Sequence, residues 1–189
     1  MTRTLAVIPA RLASSRFPNK PLKMILGIPM IAHCYYRALL CKNVDKLILA
    51  TPDKKIIELS NQLGFQAIMT SDKHERATER ACEVLDILKR DGQLYDNVLL
   101  LQGDEPQINP ETIDQLIKEI TESNNDVINL IHPIENEDLI DTNIVKAIIN
   151  NDKDKEDNSD TDLEVRNTLW YSITAVSYTH LTLPTILLV

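Results

Sequence analysis

Short apolar runs spaced far apart, each stopped by a turn residue, constrain this chain more than any other feature. Residues 4–8 (TLAVI) end at Pro9, and residues 46–51 (KLILAT) end at Pro52. Residues 65–69 (FQAIM), 97–101 (NVLLL), 127–131 (VINLI) and 144–149 (IVKAII) repeat the pattern. Runs of this kind read as strands buried on both faces. Helix-period sequence fills the gaps. Pro29 suits the first helical position ahead of residues 30–40, and Asp53 suits the cap of a helix that runs to about Leu63 and ends at Gly64. Residues 75–89 place Ala81, Val84, Leu85 and Leu88 on one face, and residues 110–120 open with Pro-Glu-Thr. Strands alternating with helices predict βαβ crossovers and a mostly parallel sheet covered on both faces, an α/β fold in three layers. In such sheets ligands bind beyond the carboxyl ends of the strands where the strand order reverses. The loops after Ile8, Thr51, Met69 and Leu101 are therefore where a site is expected.

At 189 residues the chain is long enough for one domain and too short for two ordinary ones. No run of about 20 apolar residues is present, so no membrane insertion is expected. The start, Met1-Thr2-Arg3-Thr4-Leu5, passes straight into strand-like sequence with no leader pattern, which points to the cytoplasm. Cys34, Cys41 and Cys82 are an odd number without a CxxC pair and read as reduced, buried, small apolar residues. The net charge of -8 argues against a general nucleic-acid binder. Its distribution is uneven. Residues 1–44 hold Arg3, Arg11, Arg16, Lys20, Lys23, Arg37 and Lys42 and no acid, leaving 13 Lys and Arg against 28 acids in the rest. That stretch reads either as a local anion site or as a solvated basic face. Residues 150–164 are polar and acidic without apolar anchors, an exposed loop that lacks the Gly turn and terminal Glu of a calcium loop.

Three segments carry chemistry. Residues 9–22 (PARLASSRFPNKPL) follow the first strand, and Arg11, Ser15, Arg16 and Lys20 there can surround a polyphosphate with charge-assisted hydrogen bonds. The segment lacks the glycines of a Walker A or GxGxxG loop, so side-chain cations must replace backbone amides. Residues 101–106 (LQGDEP) end the most apolar strand. Asp104 reads as a hard oxygen ligand for Mg2+, or equally as a turn aspartate before Pro106. Gly103 permits a close backbone approach, and Gln102 can hydrogen-bond a substrate hydroxyl or carboxylate. Residues 74–80 (HERATER) enter a helix whose first amides and Arg80 can hold an anion or a base edge, while Thr78 and Glu79 read equally as capping residues. Neither His74 nor His33 has a Ser or Cys placed for it to activate.

In order and spacing, IPARLASSRFPNKPL, GIPMIAH, ATPD, HERATER and LQGDEP resemble the 3-deoxy-manno-octulosonate cytidylyltransferases (CMP-KDO synthetases), over about residues 5–149. The resemblance implies a Rossmann-like nucleotide-diphospho-sugar transferase fold that uses Mg2+ to join CTP to a 3-deoxy sugar acid for lipopolysaccharide synthesis. It implies that Arg11, Ser15 and Lys20 bind the CTP phosphates. Ala10 in the loop backbone, Thr78 in the HERATER turn and Gln102 would contact the nucleotide, and Gln102 with Arg80 would face the sugar acid. Asp104 would hold the metal, completing a catalytic set of Arg11, Lys20 and Asp104. Arg76-Ala77 stands where the family usually has Ser-Gly. The family's later Val-Asp-Thr-Pro-type metal motif is not found, so the resemblance implies one truncated domain over residues 1–175, incomplete at its C-terminal end, that binds nucleotide with little turnover. A homodimer is implied for the complete enzyme only. Residues 176–189 contain SYTHLTLPT, which resembles a translated sequencing-library adaptor, so they are expected to be a non-native tail; the alternative is a Thr-rich strand, and His180 takes no role either way. Two other functions stay open: a nucleotidyltransferase for another sugar acid, and a non-catalytic module that binds an anionic partner.

Overall fold

The computed structural model describes residues 2–13, 17–123, 125–133 and 168–177. Ser15, Arg16, His180, the expected strand at 144–149 and the acidic stretch at 150–164 lie outside them. Strand β1 (Thr4–Pro9) occupies the middle of a six-stranded sheet. On one side it pairs in parallel with β4 (Lys46–Thr51), which pairs in parallel with β5 (Ala67–Met69). On the other side it pairs in parallel with β6 (Asn97–Leu100). Beyond β6 lies β8 (Thr168–Ser177), antiparallel to it, and then β7 (Val127–Pro133), antiparallel to β8. The order is thus β5-β4-β1-β6-β8-β7, with β8 alone running against the other strands. A small hairpin of β2 (Met24–Ile25) and β3 (Ile28–Pro29) stands apart. The mostly parallel α/β sheet matches the sequence reading; the reversed strand between β6 and β7 was not foreseen. It extends over Val176 and Ser177, across the expected boundary at 175.

Among the described residues four helices cover the sheet: α1 (Met30–Ala38), α2 (Lys54–Leu63), α3 (Ala77–Arg90) and α4 (Pro110–Glu122). The alternation along β1 decides the layering, since side chains of a strand point to opposite faces in turn. Ala6 and Ile8 pack with Ile31, Tyr35, Ile113 and Ile117 from α1 and α4, whereas Leu5 and Val7 pack with Val84, Leu85 and Leu88 from α3. All four β1 side chains are fully buried, and each large one contributes about 1.5–3 kcal/mol by leaving water. No helix among the described residues is long and apolar enough to cross a membrane.

Helix ends differ from expectation in instructive ways. Gly64 closes α2 in the left-handed conformation, as its position predicts. Pro29 is the cap residue of α1 and not its first helical residue. Helix α3 begins at Ala77, two residues later than expected, because the Glu79 carboxylate accepts the amides of Glu75 and Arg76 at 3.0 and 3.2 Å and holds that turn out of the helix. Those amides keep Glu79 ionised more readily than usual. The three thiols are free, but only Cys34 is buried; Cys41 and Cys82 are half-buried. Burial pushes the Cys34 and Cys41 thiols up to about 12, so neither is a ready nucleophile.

Candidate active site

The chain leaves β1 on its β4 side and returns to build β6 on the other, so strand order reverses between β1 and β6. The loops after these two strands diverge there and open a cavity of about 960 Å3. Ala10, Arg11, Phe17 and Lys20 line it from the first loop, Gln102, Gly103 and Asp104 from the β6 loop, and His74 to Ala77 with Arg80 from the start of α3.

The first loop is held from outside itself. Asp53 stands at the cap position of α2 but makes no side-chain cap bond; its Oδ2 accepts the Leu12 amide at 2.8 Å. The expected helix-capping role is corrected accordingly: the carboxylate ties the loop after β1 to the loop after β4, and Thr51 Oγ1 accepts the Asp53 amide at 3.1 Å. The loop ends in a 3-10 turn at Lys20–Leu22 that aims Lys20 across the cavity. There Lys20 Nζ reaches Asp104 Oδ2 at 2.6 Å. Both groups are partly exposed, 38% and 46%, so the pair itself adds little to stability and can be exchanged for other partners.

Gly103 makes this approach possible. A Cβ on it would lie 2.8 Å from the Pro9 carbonyl oxygen and 3.0 Å from Ile31 Cδ1, so only glycine lets the β6 loop cross the end of β1. On the far wall, the turn after β5 is gripped by two side chains of α3. Arg80 Nη1 donates to Thr70 Oγ1 and to the Ser71 carbonyl oxygen, the latter at 3.0 Å. Arg80 is 3% exposed, and among the described residues no carboxylate lies within 4 Å of it. Burial lowers its pKa, the Glu83 charge opposes that shift, and Arg11 adds to it. No buried side-chain nitrogen or oxygen among the described residues lacks a partner, and Arg80 lines the cavity. A buried cation whose hydrogen-bond acceptors are neutral has the capacity to hold an anion at a cavity wall.

The described basic residues near the N-terminus do not form one cluster. Among the described residues of that run, Arg11 and Lys20 line the cavity. Arg3 lies over the Tyr95 ring at 4.5 Å and donates to the Leu94 carbonyl, at the opposite end of β1. Lys23 lies 5.5 Å from the Phe17 ring centre, and Arg37 Nε donates to the Ile108 carbonyl at 2.9 Å. The other wall cations, Arg76 and Arg80, come from the HERATER turn. Gln102 reaches the wall as expected, whereas Thr78, half-buried in the first turn of α3, does not line the cavity. His33 is tied to the small hairpin, its Nε2 donating to the Ile25 carbonyl at 2.8 Å. Sequence reasoning missed the loop brace of Asp53 and the grip of Thr70 and Glu83. Asp53 had been quoted in ATPD, and Glu83 stands one helical turn from Arg80; those spacings were the available signals.

The cytidylyltransferase family model matches residues 5–173. The chain belongs to that family. A 3-deoxy-manno-octulosonate cytidylyltransferase of Thermodesulfovibrio yellowstonii is 43% identical over 149 residues, covering 77% of this chain and 58% of that protein. One from Zea mays is 39% identical over 151 residues, covering 79% of this chain and 50% of that protein. The chain thus spans between half and three fifths of the length of these two curated relatives. A solved CMP:2-keto-3-deoxy-manno-octonic acid synthetase complexed with CTP is 30% identical with a TM-score of 0.79, over 93% of this chain and 74% of that one. The fold is the Rossmann-like fold of these nucleotidyltransferases.

Proposed function

We propose that this cytidylyltransferase moves a cytidylyl group from CTP to 3-deoxy-D-manno-octulosonate, giving CMP-octulosonate and pyrophosphate. The observation that carries this reading is the meeting of Arg11, Lys20, Arg80 and Asp104 in one cavity at the strand-order reversal. Its relatives' names supply the nucleotide and the acceptor. In this reading Arg11 and Lys20 bind phosphate oxygens of CTP, and the buried Arg80, whose charge is felt at Arg11, joins them there in place of the sugar-acid contact that the resemblance implies, while Gln102 orients the sugar acid. An anomeric hydroxyl attacks the α-phosphorus and releases its proton to solvent, the bond between the α- and β-phosphates breaks, and pyrophosphate leaves toward the basic loop. Positioning and neutralisation of developing charge supply the acceleration.

Magnesium fits this site on the chemistry of its donor. Asp104 is a half-exposed carboxylate that already draws a cation to 2.6 Å, and among the described residues no group of three or more His, Cys, Asp or Glu forms a cage. That arrangement suits an ion held by one carboxylate together with substrate phosphates. Bound there, it would neutralise phosphate charge. Because the Lys20 ammonium sits on Asp104, Mn2+ used as a spectroscopic substitute is expected to bind weakly without nucleotide. Lys20→Met should tighten nucleotide-free Mn2+ binding about tenfold, read by paramagnetic resonance, because a competing charge is removed. An unchanged affinity would contradict the assignment of Asp104 to the metal.

At protein concentrations equal to substrate, CTP and the octulosonate should yield CMP-octulosonate and pyrophosphate in equal amounts, slowly, by mass spectrometry. Consumption of a different sugar acid in its place, or of none, would overturn the reading.

A further inference from the structure

His74 lines the cavity, yet what holds it lies behind the wall. Its Nε2 is 2.6 Å from Glu83 Oε2, and the same oxygen accepts the Ser71 amide at 2.8 Å. On its other side, Nδ1 lies 3.9 Å from Glu79 Oε2. Glu83 does not line the cavity. Arg80 and Glu83 are three apart on α3 and therefore share a face, and they grip the same turn in complementary ways. Arg80 donates to the Ser71 carbonyl, and Glu83 accepts the Ser71 amide. One residue's two backbone groups are thus fixed by one cation and one anion from a single helical turn.

We propose that Glu83 is a positioning residue for nucleotide recognition. Its carboxylate sets Nε2 as the hydrogen-bearing nitrogen of His74 and pins the Ser71 amide, so that the His74 to Ala77 wall meets the ligand in one conformation. An ionised carboxylate only accepts hydrogen bonds, so the imidazole nitrogen facing it must donate. Burial works against ionisation of Glu83, but the Ser71 amide, His74 and Arg80 together outweigh it and lower its pKa. The charged groups that face His74 are therefore Glu83 and Glu79 from α3, with Arg80 beside Glu83. Holding one imidazole orientation removes rotamer freedom that the ligand would otherwise have to remove on binding.

The inference rests on the reading of the cavity as a nucleotide site, and its test separates the two. Nitrogen-15 spectra of the histidines in the whole chain, recorded without nucleotide, should show His74 protonated at Nε2. Glu83→Gln can keep its amide oxygen on both the Ser71 amide and Nε2 and should retain that preference. Glu83→Met removes the shared acceptor at similar length and should lose it, its melting temperature showing that the fold survives. CTP affinity, read by calorimetry in the same variant, should fall about tenfold, the scale of a wall displaced by a fraction of an ångström. Glu83→Ala, which removes the rest of the side chain as well, should lose more; its melting temperature shows whether the fold survives. Wild-type His74 protonated only at Nδ1, or a Glu83→Met variant that keeps both the spectrum and the affinity, would overturn the proposal. Wild-type protein that fails to bind CTP would count against the functional reading alone, because the spectrum still reports on Glu83.

Discussion

Arg80→Met is expected to raise the dissociation constant for CTP about a hundredfold while shifting the melting temperature by less than about 5 °C. The two effects separate because of where the guanidinium stands. It is buried, its protein partners are the Thr70 hydroxyl and the Ser71 carbonyl, and among the described residues no carboxylate lies within 4 Å of it, Glu83 and Asp53 acting only at longer range. A charged hydrogen bond to an anion is worth up to about 3 kcal/mol, and each 1.4 kcal/mol is about tenfold in affinity. The fold gains little from keeping the cation. An apolar side chain of similar length fills the same space, and loss of the charge's desolvation cost offsets much of the loss of two acceptors' partner. Calorimetry with CTP and a thermal melt of the same preparation check the pair of values. A variant that melts far lower and binds CTP normally would mean that Arg80 holds the fold and not the ligand.

A methyl group at Gly103 should do the reverse and disturb the fold first. Its Cβ would meet the Pro9 carbonyl oxygen at 2.8 Å, and that oxygen belongs to the end of the central strand. Ile31 Cδ1 at 3.0 Å closes the alternative direction. Overpacking of this kind costs about 1–3 kcal/mol, several degrees in melting temperature for a chain of this size. The β6 loop must then move away from β1, which takes Asp104 from Lys20. Gly103→Ala is therefore expected both to melt earlier and to bind CTP more weakly, and unchanged values for both would show that the loop yields freely.

The strands around β1 were legible because each is buried on both faces, which writes a continuous apolar run into the sequence; residues 46–51 coincide with β4 to the residue. The same logic pointed to the cavity, since the loops after Ile8, Thr51, Met69 and Leu101 all contribute to its wall or brace it. What the sequence hid depends on pairings between distant segments. Asp53 reads as a helix cap because caps are local, and nothing local says that its carboxylate instead holds Leu12, 41 residues away. Likewise, charge density near the N-terminus reads as a local anion site or a solvated basic face, but a strand has two ends. Arg3 at one end and Arg11 at the other are separated by the length of β1. The strand at 168–177 was missed because its place is set by pairing with β6 and β7, which no local pattern announces.

The cavity's preference among nucleotides tests the account most directly. Calorimetric titration of the chain with CTP, UTP, ATP and GTP, each with magnesium under identical conditions, should show CTP binding at least about tenfold more tightly than any other, a gap of about 1.4 kcal/mol. Equal binding of all four would show a basic cavity that reads phosphate and no base, and no binding of any would remove the nucleotide from the site altogether.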